Sequence, residues 1–156
     1  MPDAGCGAKA YAEKQVVVYD SNFTLDIEQL NDVICENNGK KITVRDLQLE
    51  VLTIMDEIHR VCVKNNIKYA LIAGSALGIV NYKGFIPWDD DVDIGMMRQD
   101  YDKFIAVAKK EMSPDFIIQD HDVEPKYVNF HIKIRKLNTI FPQSYNSQYK
   151  YRGIQL

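Results

Sequence analysis

From Leu47 onward, apolar residues return at three- and four-residue steps: Leu47, Val51, Ile54, Met55, Ile58, Val61 and Cys62. That spacing predicts one helix of about five turns with a single buried face. Thr43 and Asp46 stand at capping-box spacing before it, and Asn65-Asn66 stops it. Tyr69-Ala70-Leu71-Ile72-Ala73 is a continuous apolar run too short for a helix, which predicts a buried strand. Gly74-Ser75 then turns the chain into a short helix over Ala76 to Asn81. After a loop holding Gly84 and Pro87, Asp91 to Met96 alternates as a strand. A second long helix is predicted from Arg98 to Met112, with Tyr101, Phe104, Ile105 and Ala108 inward and Ser113-Pro114 as its stop.

Two later segments read as strands. Phe116 to Gln119 is short and apolar. Val128 to Lys136 alternates, placing Val128, Phe130, Ile132 and Ile134 on a core face and Asn129, His131, Lys133 and Arg135 on a polar one. Upstream, Gln15 to Tyr19 predicts a strand, and Asp26 to Glu36 a helix ended by Asn37-Asn38-Gly39. Residues 1–14 are small and polar and read as a leader, with one domain over 15–156. The sum is an α+β fold, a small mixed sheet with helices packed on it.

Composition narrows the class. Apolar residues make up 46% of 156, enough to build a core without staples. With 19 basic and 22 acidic side chains the net charge is −3, which lacks the basic surplus of a nucleic-acid footprint. Cys6, Cys35 and Cys62 are odd in number and far apart, so a disulfide framework is not expected and a reducing, cytoplasmic setting is. No stretch has the roughly 20 apolar residues of a membrane span.

The chemistry concentrates between Gly74 and Asp93. Asp89, Asp90, Asp91 and Asp93 place four carboxylates in five positions, and such like charges repel unless a cation joins them. An ordinary solvated acidic loop is the plainer explanation. Against it, Asp91 and Asp93 are two apart in a strand-like stretch, so both can face one point. A Gly-Ser turn opens a helix just upstream, where backbone N–H groups make an anion site. Hard cations such as Mg²⁺ (or Mn²⁺) take one or two carboxylates together with substrate phosphates. Lys83, Lys133 and Arg135 are candidate phosphate contacts, with a solvated surface as the equal alternative. Trp88 and Phe85 are placed either over the site or packed beneath the loop.

The string Gly74-Ser75-Ala76-Leu77-Gly78, followed by Tyr82-Lys83-Gly84-Phe85-Ile86-Pro87-Trp88-Asp89-Asp90-Asp91-Val92-Asp93-Ile94-Gly95-Met96, resembles the signature of the LicD family of phosphocholine transferases. The same family includes the eukaryotic fukutin-type phosphosugar transferases. The likeness runs from Asp46-Leu47-Gln48 to Asn138-Thr139 and Gly153-Ile154. It implies the DNA polymerase β-like nucleotidyltransferase fold. Gly74 and Ser75 would hold the donor phosphates, and Asp91 and Asp93 would hold Mg²⁺ in the catalytic centre, with Asp89 as a further candidate ligand. The implied reaction moves phosphocholine, or a related phosphoalcohol, from a CDP-choline-like donor to a hydroxyl of a cell-surface glycan, teichoic acid or lipopolysaccharide. Such an acceptor would bring a cytoplasmic protein to the inner face of the membrane.

Two departures qualify the likeness. Asn81-Tyr82 stands where relatives commonly have Arg-His. The superfamily's third carboxylate, the usual base toward the acceptor, would follow the Gly-Ile pair matched by Gly153-Ile154, and the sequence stops at Leu156. On that ground the domain is expected to be truncated at its C-terminus. Two rivals follow: a catalytically silent nucleotide- or partner-binding domain, and a nucleotidyl transferase acting on a small molecule.

Overall fold

The computed structural model describes residues 33–37, 40–141, 146 and 148–156. The leader, the strand at Gln15 to Tyr19 and the start of the helix at Asp26 lie outside them. Among the described residues the elements run β1 (Val33–Asn37), β2 (Lys40–Thr43), α1 (Val44–Lys64), β3 (Ala70–Leu71), α2 (Ala73–Tyr82), β4 (Ile94–Gly95), α3 (Arg98–Glu111), β5 (Phe116–Gln119) and β6 (Lys133–Lys136). The α+β class therefore holds, with small two-stranded sheets in place of one mixed sheet. None of the described helices is long and apolar enough to cross a membrane.

The described residues divide into two compact units, those up to 52 with 71–94 and those of 53–70 with the residues from 95 onward. In the first unit, β1 and β2 pair antiparallel with Asn37 opposite Lys40. Val33 to Glu36 is thus a strand, which corrects the expected helix. The β-branched residues Val33, Ile34, Ile42 and Thr43 favour the pleated pairing over a helix. The capping box of α1 is present: Thr43 N–H donates to Asp46 Oδ2 at 2.9 Å, and Asp46 N–H donates to Thr43 Oγ1 at 3.1 Å. Leu47, Val51, Pro87 and Val92 are buried in this unit.

The expected buried strand over Tyr69 to Ala73 shrinks to Ala70–Leu71, with Ala70 exposed and Leu71 half-buried. Ala73 stops it by taking a left-handed backbone, φ 47°, and α2 starts there, three residues early. The expected strand at Asp91 to Met96 likewise shrinks to Ile94–Gly95. Here a side chain replaces the ladder. Ile72 N–H donates to the Asp93 carbonyl at 3.0 Å, but Asp93 N–H donates to Ser75 Oγ at 2.8 Å.

In the second unit the α1 face continues through Ile54, Ile58, Val61 and Cys62, all within 1% of full burial. Phe104 and Ala108 of α3 are buried as expected, while Tyr101 and Ile105 are half-buried. Burial, aided by the negative charge of Asp100, pushes the Cys62 thiol up to about 11. β5 and β6 pair antiparallel, Phe116 opposite Lys136 and Gln119 opposite Lys133. Residues 154–156 run along the other edge of β6: Lys136 N–H donates to the Ile154 carbonyl, and Ile134 and Leu156 exchange both backbone bonds.

The long strand expected from Val128 is therefore shortened to four residues. Residues 128–132 are irregular, and Phe130, placed on the core face by alternation, is fully exposed. Tyr127 closes that segment by donating its hydroxyl to the His131 carbonyl at 3.0 Å. Tyr149 is buried against Tyr127 at a 5.7 Å centroid distance.

Glu57 ties the end of α3 to α1. Arg60 donates two bonds to its carboxylate at 2.7 Å, and Ser113 N–H donates a third at 2.7 Å. The Arg60 bonds hold this carboxyl below the usual glutamate range against the opposing effect of burial. A lowered folded-state pKa contributes stability that is complete above the ordinary glutamate value and lost as pH falls through the lower one. Glu57→Gln is expected to cost about 1–2 kcal/mol at pH 7, because the amide carries no charge and its NH₂ cannot accept the second Arg60 bond. Urea melts of both proteins should converge as the pH is taken down through the acid limb.

Candidate functional site

The site residues of the first unit come from two stretches. The turn Ala73-Gly74-Ser75 opens α2, and the loop after α2 carries the acids. Three carboxylates, those of Asp89, Asp90 and Asp91, bring one oxygen each to within 4.8 Å of one another. All three residues are half-buried. Asp93 is not a member of that trio, but its charge acts on Asp89. Asp91 and Asp93 both lie in a loop, so the shared strand face that was to aim them together does not exist. The Asp93 backbone N–H is also tied to the turn, donating to Ser75 Oγ.

The turn lies against the acids. A Cβ on Gly74 would stand 3.1 Å from Asp89 Oδ2, so glycine lets the turn come close to that carboxylate. Ser75 Oγ accepts the Asp93 N–H, which leaves its own O–H hydrogen to donate to an oxygen. Burial, and then the charges of Asp90 and Asp93, raise the Asp89 carboxyl above the usual aspartate range. An acid shifted this way is destabilising when ionised, and a bound cation reverses that sign. Three hard oxygen donors around one point therefore fit a divalent cation such as Mg²⁺.

Lys83, the third expected residue of this unit, is exposed at the end of α2 with φ 57°. Trp88 is 56% exposed and meets Tyr82 edge-on at 6.1 Å, so it is not packed beneath the loop. Lys133 and Arg135 belong to the second unit. Lys133 is half-buried on β6. Arg135, expected on a polar face to meet phosphate, is fully buried, which corrects that assignment. Its Nε donates to Gln119 Oε1 and its Nη1 to the Gly153 carbonyl at 2.8 Å, so it braces the β5–β6 sheet. His131 is exposed and belongs to no cluster of three ligating groups among the described residues.

One residue that sequence patterns leave inconspicuous touches this loop. Gln48 on α1 is fully buried and bonds the loop backbone at Ile86, Pro87 and the first acid, Asp89. Its signal is a polar residue next to the apolar stripe of α1, three before Val51.

A Gly-Ser turn at a helix start, set against clustered carboxylates, is an arrangement chemically able to take a phosphate and a divalent cation together. The family model described as LicD/FKTN/FKRP, nucleotidyltransferase domain, matches residues 66–150, more than half of the sequence. The chain belongs to this family. It is 38% identical over 96 residues to the lipopolysaccharide cholinephosphotransferase LicD of Haemophilus influenzae, covering 61% of this chain and 36% of that protein. An uncharacterized protein of Rickettsia prowazekii is 31% identical over 56% of this chain and 39% of its own length. Another, from Rickettsia typhi, is 36% identical over 43% of this chain and 25% of its own. The chain thus spans between a quarter and two-fifths of these relatives. No solved structure matches it.

Proposed function

We propose that this chain carries the donor-phosphate and metal-binding part of an enzyme that transfers phosphocholine, or a related phosphoalcohol, from a CDP-linked donor to a glycan hydroxyl. Lipopolysaccharide or teichoic acid is the acceptor class, reached at the inner face of the membrane. The fold we assign it is the DNA polymerase β-like nucleotidyltransferase fold. One observation carries this reading: three carboxylate oxygens within 4.8 Å of one another, beside a Gly-Ser turn, in a LicD-family chain. The likeness to a cholinephosphotransferase supports the choice of transferred group.

Asp89, Asp90 and Asp91 would hold Mg²⁺, with Asp93 completing the shell. The cation would supply positive charge against that developing on the leaving phosphate oxygens. Gly74 keeps the turn's backbone close to the acids, and Ser75 offers its O–H to a donor oxygen while its Oγ holds Asp93. Lys83, exposed at the end of α2, brings a further positive charge to the donor.

The test is calorimetric titration of CDP-choline, CDP-glycerol and CDP-ribitol into the protein, with and without Mg²⁺. Binding that requires Mg²⁺ and disappears in Asp91→Asn and in Asp93→Asn is the expected result. Unchanged nucleotide binding in both variants removes the proposal. Mass analysis of the product separates transfer of phosphocholine from transfer of a nucleoside monophosphate.

A further inference from the structure

The loop from Ile86 to Asp91 carries no strand; it holds one turn bond of its own, Asp89 N–H to the Ile86 carbonyl at 3.0 Å, and the rest of its carbonyls need partners from elsewhere. Three of the loop's carbonyls converge on one side chain. Gln48 Nε2 donates to the carbonyls of Ile86 at 3.2 Å, Pro87 at 3.3 Å and Asp89 at 2.8 Å. Two hydrogens serve three acceptors, so one is shared, and the shortest bond goes to the first acid of the trio. The orientation of the amide is fixed chemically. Its other end, Oε1, accepts from Arg45 Nη1 at 3.1 Å, and an arginine can only donate. Gln48 itself is fully buried on a helix whose start is held by the Thr43–Asp46 box one turn earlier.

Mutual repulsion among Asp89, Asp90 and Asp91 tends to spread them, and the loop has no ladder to resist it. The tether from Gln48 to the Asp89 carbonyl supplies that resistance from a rigid element. We propose that Gln48 is a positioning residue of the cation site, a clamp from α1 that holds the carboxylate loop in its ligating arrangement. This inference rests on the cation reading of the acids given above. Gln48 touches neither cation nor donor, and it acts through the backbone of residues 86–89. The class of effect is that of outer groups which orient metal ligands, whose removal typically weakens metal binding by about 10–100-fold.

The experiment is Mn²⁺ titration of the full chain, followed by electron paramagnetic resonance of the free ion, at a temperature where circular dichroism shows every variant folded. Gln48→Met keeps the volume and removes the donors. Its Mn²⁺ affinity is expected to fall about tenfold or more at unchanged far-UV signal, with a broadened bound-ion spectrum. A residue that served stability alone would lower the melting temperature and leave the affinity of the folded protein where it was. Equal affinity in the parent and in folded Gln48→Met therefore overturns the clamp while leaving the cation site standing. A parent chain that takes up no Mn²⁺ overturns both. If Gln48→Met does not fold, Gln48→Asn, which keeps the amide but loses one methylene of reach, is measured in its place: weakened affinity supports the clamp and equal affinity overturns it.

Discussion

Gly78→Ala is expected to destabilise this protein, although alanine in place of a helix-interior glycine ordinarily stabilises by about 1 kcal/mol. Gly78 is the buried residue of α2, and the space its methyl would need is filled by backbone. A Cβ there would stand 2.5 Å from the Gly84 carbonyl oxygen, 3.1 Å from the Ile86 nitrogen and 3.4 Å from the Phe85 carbonyl carbon. None of these atoms belongs to a side chain that can swing aside, so the loop itself must move. Overpacking costs about 1–3 kcal/mol, and contact with backbone alone places this case at the upper end, for a net loss of roughly 2 kcal/mol. For a chain of this size that lowers the melting temperature by roughly 4–8 °C. The displaced backbone leads directly to Asp89, so Mn²⁺ affinity should fall along with stability. A melting temperature that rises, as at an ordinary helix glycine, would show that α2 and the loop are not in contact.

Gly153→Ala should be more severe. A methyl there would lie 2.1 Å from the Lys136 carbonyl oxygen, 3.2 Å from its carbon and 2.8 Å from Thr139 Oγ1. Those groups are already engaged: Thr139 donates its hydroxyl to the Lys136 carbonyl at 2.7 Å and accepts the Ile154 N–H at 3.0 Å. The Gly153 carbonyl also receives Arg135, so moving this residue exposes a buried guanidinium to the loss of a partner. The expected cost is about 3 kcal/mol, the upper end of overpacking, with further loss from each backbone bond along residues 154–156. Urea unfolding measures the total. Hydrogen exchange should localise it to the amides of Ile134, Lys136 and Leu156, and protection that stays unchanged there would contradict the close approach.

The parts of this fold that were legible in sequence are those fixed by long local patterns. Seven apolar positions and a capping box marked α1, and the Ser113-Pro114 stop marked the end of α3, because helices are built from contacts within a few residues. The short strands were less readable. Asp91 to Asp93 alternates like a strand, yet a serine hydroxyl takes the amide that a ladder would have used. Val128 to Ile132 alternates equally well and is a loop closed by Tyr127. Arg135 looked solvated because arginine usually is, and its burial depends on Gln119 and Gly153, 16 and 18 residues away. At the site, the motif identified the acids and the turn, but not which three carboxylates converge. Nor did it disclose Gln48, whose partners lie about forty residues downstream.

The sealed position of Cys62 has a chemical consequence. With its thiol pushed up to about 11, on the order of one molecule in ten thousand carries the nucleophilic sulfur anion at neutral pH. Oxidants and alkylating reagents act on that anion, and here they must also wait for the helix around it to open. The sulfur is thereby kept out of redox traffic, and modification at this position records excursions from the native state.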